Sequence, residues 1–104
     1  MGVRSVALSP GTEERLARVF AGGELDAARR LLLEACGSNL PLLETAPPES
    51  IERIRLAALR VGGHSLDALR EAVALAQLDW RDLLMAADFG DPDAHRSWWP
   101  ERSR

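Results

Sequence analysis

Apolar residues recur along this chain at intervals of three and four, and no stretch alternates apolar with polar over the length of a strand. That spacing predicts helices. Thr12 reads as a first N-cap, with Glu13 and Glu14 in the opening turn where acids complement the helix dipole. Leu16, Val19 and Phe20 then form an i, i+3, i+4 stripe, which Gly22-Gly23 ends. A second helix is predicted over 24–36. Leu25, Ala28, Leu31, Leu32, Ala35 and Cys36 share one face, while Asp26, Arg30 and Glu34 line the other with alternating sign. Gly37 suits the position just past its C-terminus.

The longest break, over 38–48, holds three prolines and three leucines, which predicts a connection packed on the core. A third helix begins near Pro48, where proline is tolerated, and ends at Gly62-Gly63. Ser65 caps a fourth. Its apolar residues lie on one side (Leu66, Leu69, Ala72, Val73, Ala76) and also on the other (Ala68, Leu75), which predicts a central position in the bundle. Asp79 reads as the N-cap of a fifth helix, with Asp82 completing a short capping box. Trp80, Leu83, Leu84 and Ala87 form the inward face of that helix, and Gly90 ends it. Asp91-Pro92 repeats the cap-plus-proline signal and predicts a short terminal helix carrying His95, Trp98 and Trp99. The expectation is an all-α protein: an irregular bundle of five or six short helices in a single domain over 10–100, with flexible ends at 1–9 and 101–104. Whether the fourth and fifth helices are separate or one kinked rod is left open by the sequence.

Composition narrows the function classes. A chain of 104 residues with 46% hydrophobic content suits one globular domain. The net charge is −3, and all 13 basic residues are arginine. A coding bias accounts for the missing lysine. Phosphate recognition by arginine forks would need clustering, yet the arginines are spread and interleaved with acids. This argues against a nucleic-acid partner held through its phosphates. The one cysteine, Cys36, cannot form an intrachain disulfide, which fits a reducing cytoplasm. The first ten residues have too short an apolar run for a signal peptide, and Val6 stands where myristoylation would need a hydroxyl. No apolar run approaches the ~20 residues of a membrane span. A cytoplasmic protein is the expectation.

The strings EACGSNLP (34–41), ERIRLAALRVGG (52–63), DWRDLLMAADF (79–89) and AHRSWWP (94–100) occur in this order. Together they resemble a family of short all-helical bacterial proteins with no activity assigned. The resemblance implies a bacterial cytoplasmic protein and carries no catalytic or ligand residue. It leads one to expect glycine where Asp88 stands.

Few residues carry candidate chemistry. Arg55 lies beside the apolar face of the third helix (Ile51, Ile54, Ala58, Val61), whereas Arg53 and Arg60 point away and Glu49 can pair with Arg53 at the surface. A buried guanidinium needs an acid or several carbonyls, so Arg55 reads as a clamp toward Asp79, Asp88 or a helix end, or as an anion anchor. In Asp79-Trp80-Arg81-Asp82, capping accounts for all but Arg81, and a cap carboxylate already bound to backbone N–H groups is a poor general acid. Adjacent residues on a helix are about 100° apart, so Trp98 and Trp99 cannot readily share one core. With His95 and Arg96 they form a candidate protein-binding patch. Cys36 reads as a small buried hydrophobe at a helix C-terminus. His64 and His95 lack ligand spacing, so no metal site and no cofactor are implied. The leading expectation is a non-catalytic interaction or accessory module, self-association included. A DNA-associated regulator using the third-helix arginines comes next, and a small anion-binding protein or enzyme centred on Arg55 comes last.

Overall fold

A computed structural model of the chain describes residues 7–37, 40 and 47–100. The first helix, α1, spans Pro10–Val19 and starts earlier than the expected cap at Thr12. Ser9 is the cap, and its Oγ accepts a hydrogen bond from the Thr12 N–H at 3.1 Å. Pro10 at the first helical position has φ set for the helix and no N–H to leave unpaired, which moves the start upstream. Thr12 becomes a fully buried residue of the first turn.

α2 spans Gly22–Ala35. Gly22 has φ +59°, a left-handed conformation that lets the chain reverse between α1 and α2 in a few residues. Ala28, Leu32 and Cys36 are buried, whereas Asp26, Arg30 and Glu34 face water as the alternation predicted. In the following connection Leu40 is fully buried; Leu42 and Leu43 lie outside the described residues.

α3 spans Pro48–Gly62, as expected, and it is the central helix. Six consecutive residues from Ile54 to Leu59 are buried, and α3 packs on α1, α4 and the C-terminal turn. The fourth helix, expected at the centre, instead exposes Ala74, Gln77 and Leu78. The two helices meet most closely at Gly62. A Cβ there would sit 2.5 Å from the Ala68 carbonyl oxygen and 2.6 Å from Leu69 Cα, so the backbone of the next helix crosses directly on it. Only glycine permits that approach.

α4 spans Leu66–Ala86 and is capped by Ser65, whose Oγ accepts from Ala68 N–H at 3.0 Å. It contains both the expected fourth and fifth helices. At Asp79 the backbone leaves the helix (φ −158°, ψ 95°), and Oδ1 of Asp79 accepts from Arg81 N–H at 3.0 Å, so this residue caps the second segment from within. The C-terminus of α4 closes as a Schellman motif: Phe89 N–H donates to Leu84 O at 2.9 Å and Asp88 N–H to Met85 O at 3.1 Å. Asp88 takes φ +60°, the place that glycine usually fills.

The expected terminal helix is corrected to one 3-10 turn, Ala94–Arg96. Oδ1 of Asp91 accepts from Asp93 N–H at 2.9 Å, which tightens the chain into a turn, and Pro100 blocks propagation. Trp98 and Trp99 lie beyond it in non-helical chain, so the 100° argument does not apply to them. Among the described residues the fold is thus four α-helices, the fourth broken at Asp79, and a 3-10 turn, with no strand. No helix among these residues is long and apolar enough to cross a membrane.

Candidate functional site

After the 3-10 turn the chain runs as a strap against α1 and α3. His95 is 4% exposed and meets the Phe89 ring edge-on at 6.3 Å. Trp98 is half-buried and packs on the same ring at 5.9 Å, also edge-on. Phe89 thereby anchors both strap residues by favourable quadrupole geometry.

Arg15 ties the strap down from α1. Its Nε donates to Trp98 O at 2.8 Å, Nη2 to Arg96 O at 3.1 Å, and Nη1 to Gly11 O at 3.0 Å. Its guanidinium carbon also lies 3.8 Å from the centre of the Trp99 ring, with that of Arg18 at 4.7 Å. Arg15 is only 5% exposed. A flat fork of fixed donors can serve three carbonyls and stack on an indole at once; an ammonium cannot. Burial lowers the pKa of Arg15, and Glu52 and Glu14 counter this.

Glu52 on α3 is the acid at the centre of this junction. Its Oε1 accepts from the Ser9 hydroxyl and from Thr12 Oγ1 at 3.2 Å. Its charge also acts on Arg15, Arg55 and His95. Glu52 borders an open polar cavity of about 410 Å³ together with Arg15, Glu49, Leu56, His95 and Arg96. Glu49 and Arg96 form a long ion pair of 3.5 Å beside it. Burial pushes the His95 imidazole below its ordinary pKa, and Arg96, Arg53 and Arg15 add to this against the pull of Glu52. Its Nδ1 is buried and has no hydrogen-bond partner among the described residues.

On the other side of the strap lies an open groove of about 650 Å³. Val19, Leu59, Trp98, Trp99 and Pro100 supply its apolar lining, and Arg60, Gly63 and His64 line it as well. Trp99 is 40% exposed here, one of three large hydrophobic side chains open to solvent among the described residues; the others are Leu78 and Met85 on α4.

The predicted site residues therefore separate. His95, Arg96, Trp98 and Trp99 do come together, but His95 is internal and Trp98 half-internal, which leaves Trp99 and Arg96 at the surface. Arg55 is buried as expected, at 2% exposed. Its hydrogen-bond partners are carbonyls, not Asp79 or Asp88: Nε donates to Cys36 O at 2.7 Å and Nη1 to Ala7 O at 3.2 Å. It borders neither cavity described above. Asp79 is spent on its own helix, and Arg81 is exposed with its guanidinium 5.5 Å from the Trp80 ring.

Arg53 corrects a further expectation. Instead of pairing with Glu49 at the surface, it donates to Phe89 O and, at 3.0 Å, to Gly90 O, and so ties the chain that follows α4 to α3. Arg60 lies over the Phe89 and Trp98 rings at 5.2 and 6.0 Å. The three arginines of α3 thus hold three separate places and form no common basic stripe. Cys36 is fully buried, and desolvation pushes its thiol up to about 12, against the Arg55 charge. No group of three or more His, Cys, Asp or Glu among the described residues is placed to hold a metal ion.

Sequence reasoning passed over Arg15 and Glu52. Arg15 precedes Leu16, and Glu52 follows Ile51, but a helical wheel assigns both to the boundary where charged residues are usually solvated. The available signal was the number of arginines without lysine, because rigid forks suit carbonyls as well as phosphates. No family model, curated protein or solved structure matches this chain.

Proposed function

We propose that this chain is a non-catalytic protein-interaction module whose contact surface is the groove side of the strap, centred on Trp99. The observation that carries this reading is a large aromatic residue 40% open to solvent yet held in place by two guanidiniums. Exposed indoles that are already immobilised lose little side-chain entropy on binding, and tryptophan and arginine are enriched among residues that dominate interfaces. A bacterial cytoplasmic setting accompanies this reading; the lone cysteine, buried without a disulfide, is compatible with it.

The division between the two tryptophans makes the reading testable. A photoreactive phenylalanine analogue at position 99 should give one discrete cross-linked adduct in cells, and the same analogue at exposed Arg70 on α4 should not. Equal labelling from both positions, or none from position 99, overturns the reading. Solution mass across concentration, recorded with tryptophan emission, separates a foreign partner from a second copy. Trp99→Ala should leave the melting temperature within a few degrees of wild type. Trp98→Ala should lower it, because Trp98 packs on Phe89.

A further inference from the structure

We propose that the groove beneath Trp98 and Trp99 accepts a short extended segment of a partner protein in which apolar side chains alternate with carboxylates. This rests on the interaction reading above and names the partner's chemistry. Polar and apolar surface line the groove in similar amounts, and its volume is about 650 Å³. Binding pockets for compact ligands span roughly 300–1,000 Å³, so there is room for one or two side chains and the chain that carries them.

Charge selects the rest. The chain carries −3 overall, yet the described residues that line this groove include Arg60 and His64 and no acid. Arg15 and Arg18 lie on the Trp99 ring but do not themselves line the groove. Arg60 rests above the Phe89 and Trp98 rings, an electron-rich seat that leaves its guanidinium without a carboxylate among the described residues. The groove is therefore a cationic opening on an acidic molecule. A carboxylate beside an apolar residue gains Coulomb energy from Arg60 here, against the net negative charge of the chain. Apolar burial against Trp99 supplies the affinity, and the arginine sets orientation and rate of encounter.

The test uses the full chain and three synthetic pentapeptides at up to millimolar concentration: Glu-Leu-Asp-Leu-Glu, its charge-inverted form Lys-Leu-Lys-Leu-Lys, and the leucine-free Glu-Ser-Asp-Ser-Glu. Tryptophan emission and amide chemical shifts give the readout. The expected result is saturable binding of the first alone, weaker at high salt and about ten-fold weaker in Arg60→Gln. Arg60 is exposed, and Arg60→Gln should keep the melting temperature within a few degrees of wild type. Equal binding of the lysine peptide overturns the charge assignment while the interaction surface stands. Binding of none of the three, with position 99 still cross-linking a protein, overturns the inference alone; loss of that cross-link as well overturns both. A concentration-dependent mass that Arg60→Gln abolishes, without peptide binding, gives the groove to a second copy and also overturns it.

Discussion

Arg15 and Arg55 are both buried, and both spend their guanidiniums on backbone carbonyls, yet they do different work. Arg55 joins the α2 C-terminus at Cys36 to the chain before α1 at Ala7, beneath the surface and away from both cavities. Arg15 joins α1 to a strap that ends in an exposed indole, and it borders a cavity. The same chemistry is a structural rivet in one place and the fastening of a surface in the other. What differs is the mobility of the thing held. A helix end already fixed by its own hydrogen bonds gains only satisfaction of its orphan carbonyls. A strap with one 3-10 turn has little internal structure and takes its conformation from its fastenings.

The sharpest test of this contrast is Arg55→Ala. It leaves a cavity and unpaired carbonyls in the core, so denaturant unfolding should show a loss of roughly 3–5 kcal/mol, and Arg55→Met should recover part by filling the space. Thiol labelling of Cys36 should accelerate in proportion, because the buried, protonated thiol reacts only after opening. An unchanged unfolding midpoint would break the clamp assignment.

Arg15→Ala should cost less, about 2 kcal/mol, and act locally. The expected signature is red-shifted tryptophan emission and weakened strap amide protection, with Cys36 labelling nearly unchanged. Arg15→Lys should resemble the alanine variant, because one ammonium cannot reach Gly11, Arg96 and Trp98 together. If both replacements accelerated Cys36 labelling alike, the two regions would be one cooperative unit and the comparison would fail.

The strap should also be acid-sensitive through His95. Its folded pKa lies below the ordinary value, so the unfolded chain takes up the proton first as pH falls. Stability should therefore hold above pH ~6.5 and decline below it until the folded pKa is passed, by at most about 1.4 kcal/mol per pH unit. His95→Gln should flatten that decline in a pH series of thermal unfolding; an identical slope in the variant would remove His95 as its source. The smallest effect expected is from Asp88→Gly, which relieves a positive φ outside both regions. It should add about 1 kcal/mol to global stability and leave tryptophan emission unchanged.

Much of the architecture was legible because it depends on neighbours in sequence. The α3 boundaries at Pro48 and Gly62, the Ser65 cap and the solvated row Asp26–Arg30–Glu34 all follow from local rules. So did the burial of Arg55, which sits at the margin of an apolar stripe. The break at Asp79 was visible as a cap, though how far one helix continues into the next across it depends on how the two segments pack. The start of α1 was legible too, in Ser9-Pro10, but two acids after Thr12 gave a competing local signal.

The site was less legible. Sequence brought His95, Trp98 and Trp99 together because they are neighbours, but it placed them on a helix that a proline and an Asx turn prevent. Arg15 reaches the strap across more than eighty residues, and Glu52 reaches Ser9 and Thr12 across some forty. Periodicity reports which face of a helix is apolar. It contains no information about which carbonyl from a distant segment will arrive at a boundary guanidinium. The sequence alone thus determined an all-α chain, the bounds of α3, the Ser65 cap and the break at Asp79. Tertiary structure decided that α3 is the core, that its arginines are dispersed to separate partners, and that one tryptophan is half-buried while its neighbour faces solvent. Those outcomes depend on long-range packing at Gly62 and Arg15, where close approach and carbonyl satisfaction are properties of two segments at once.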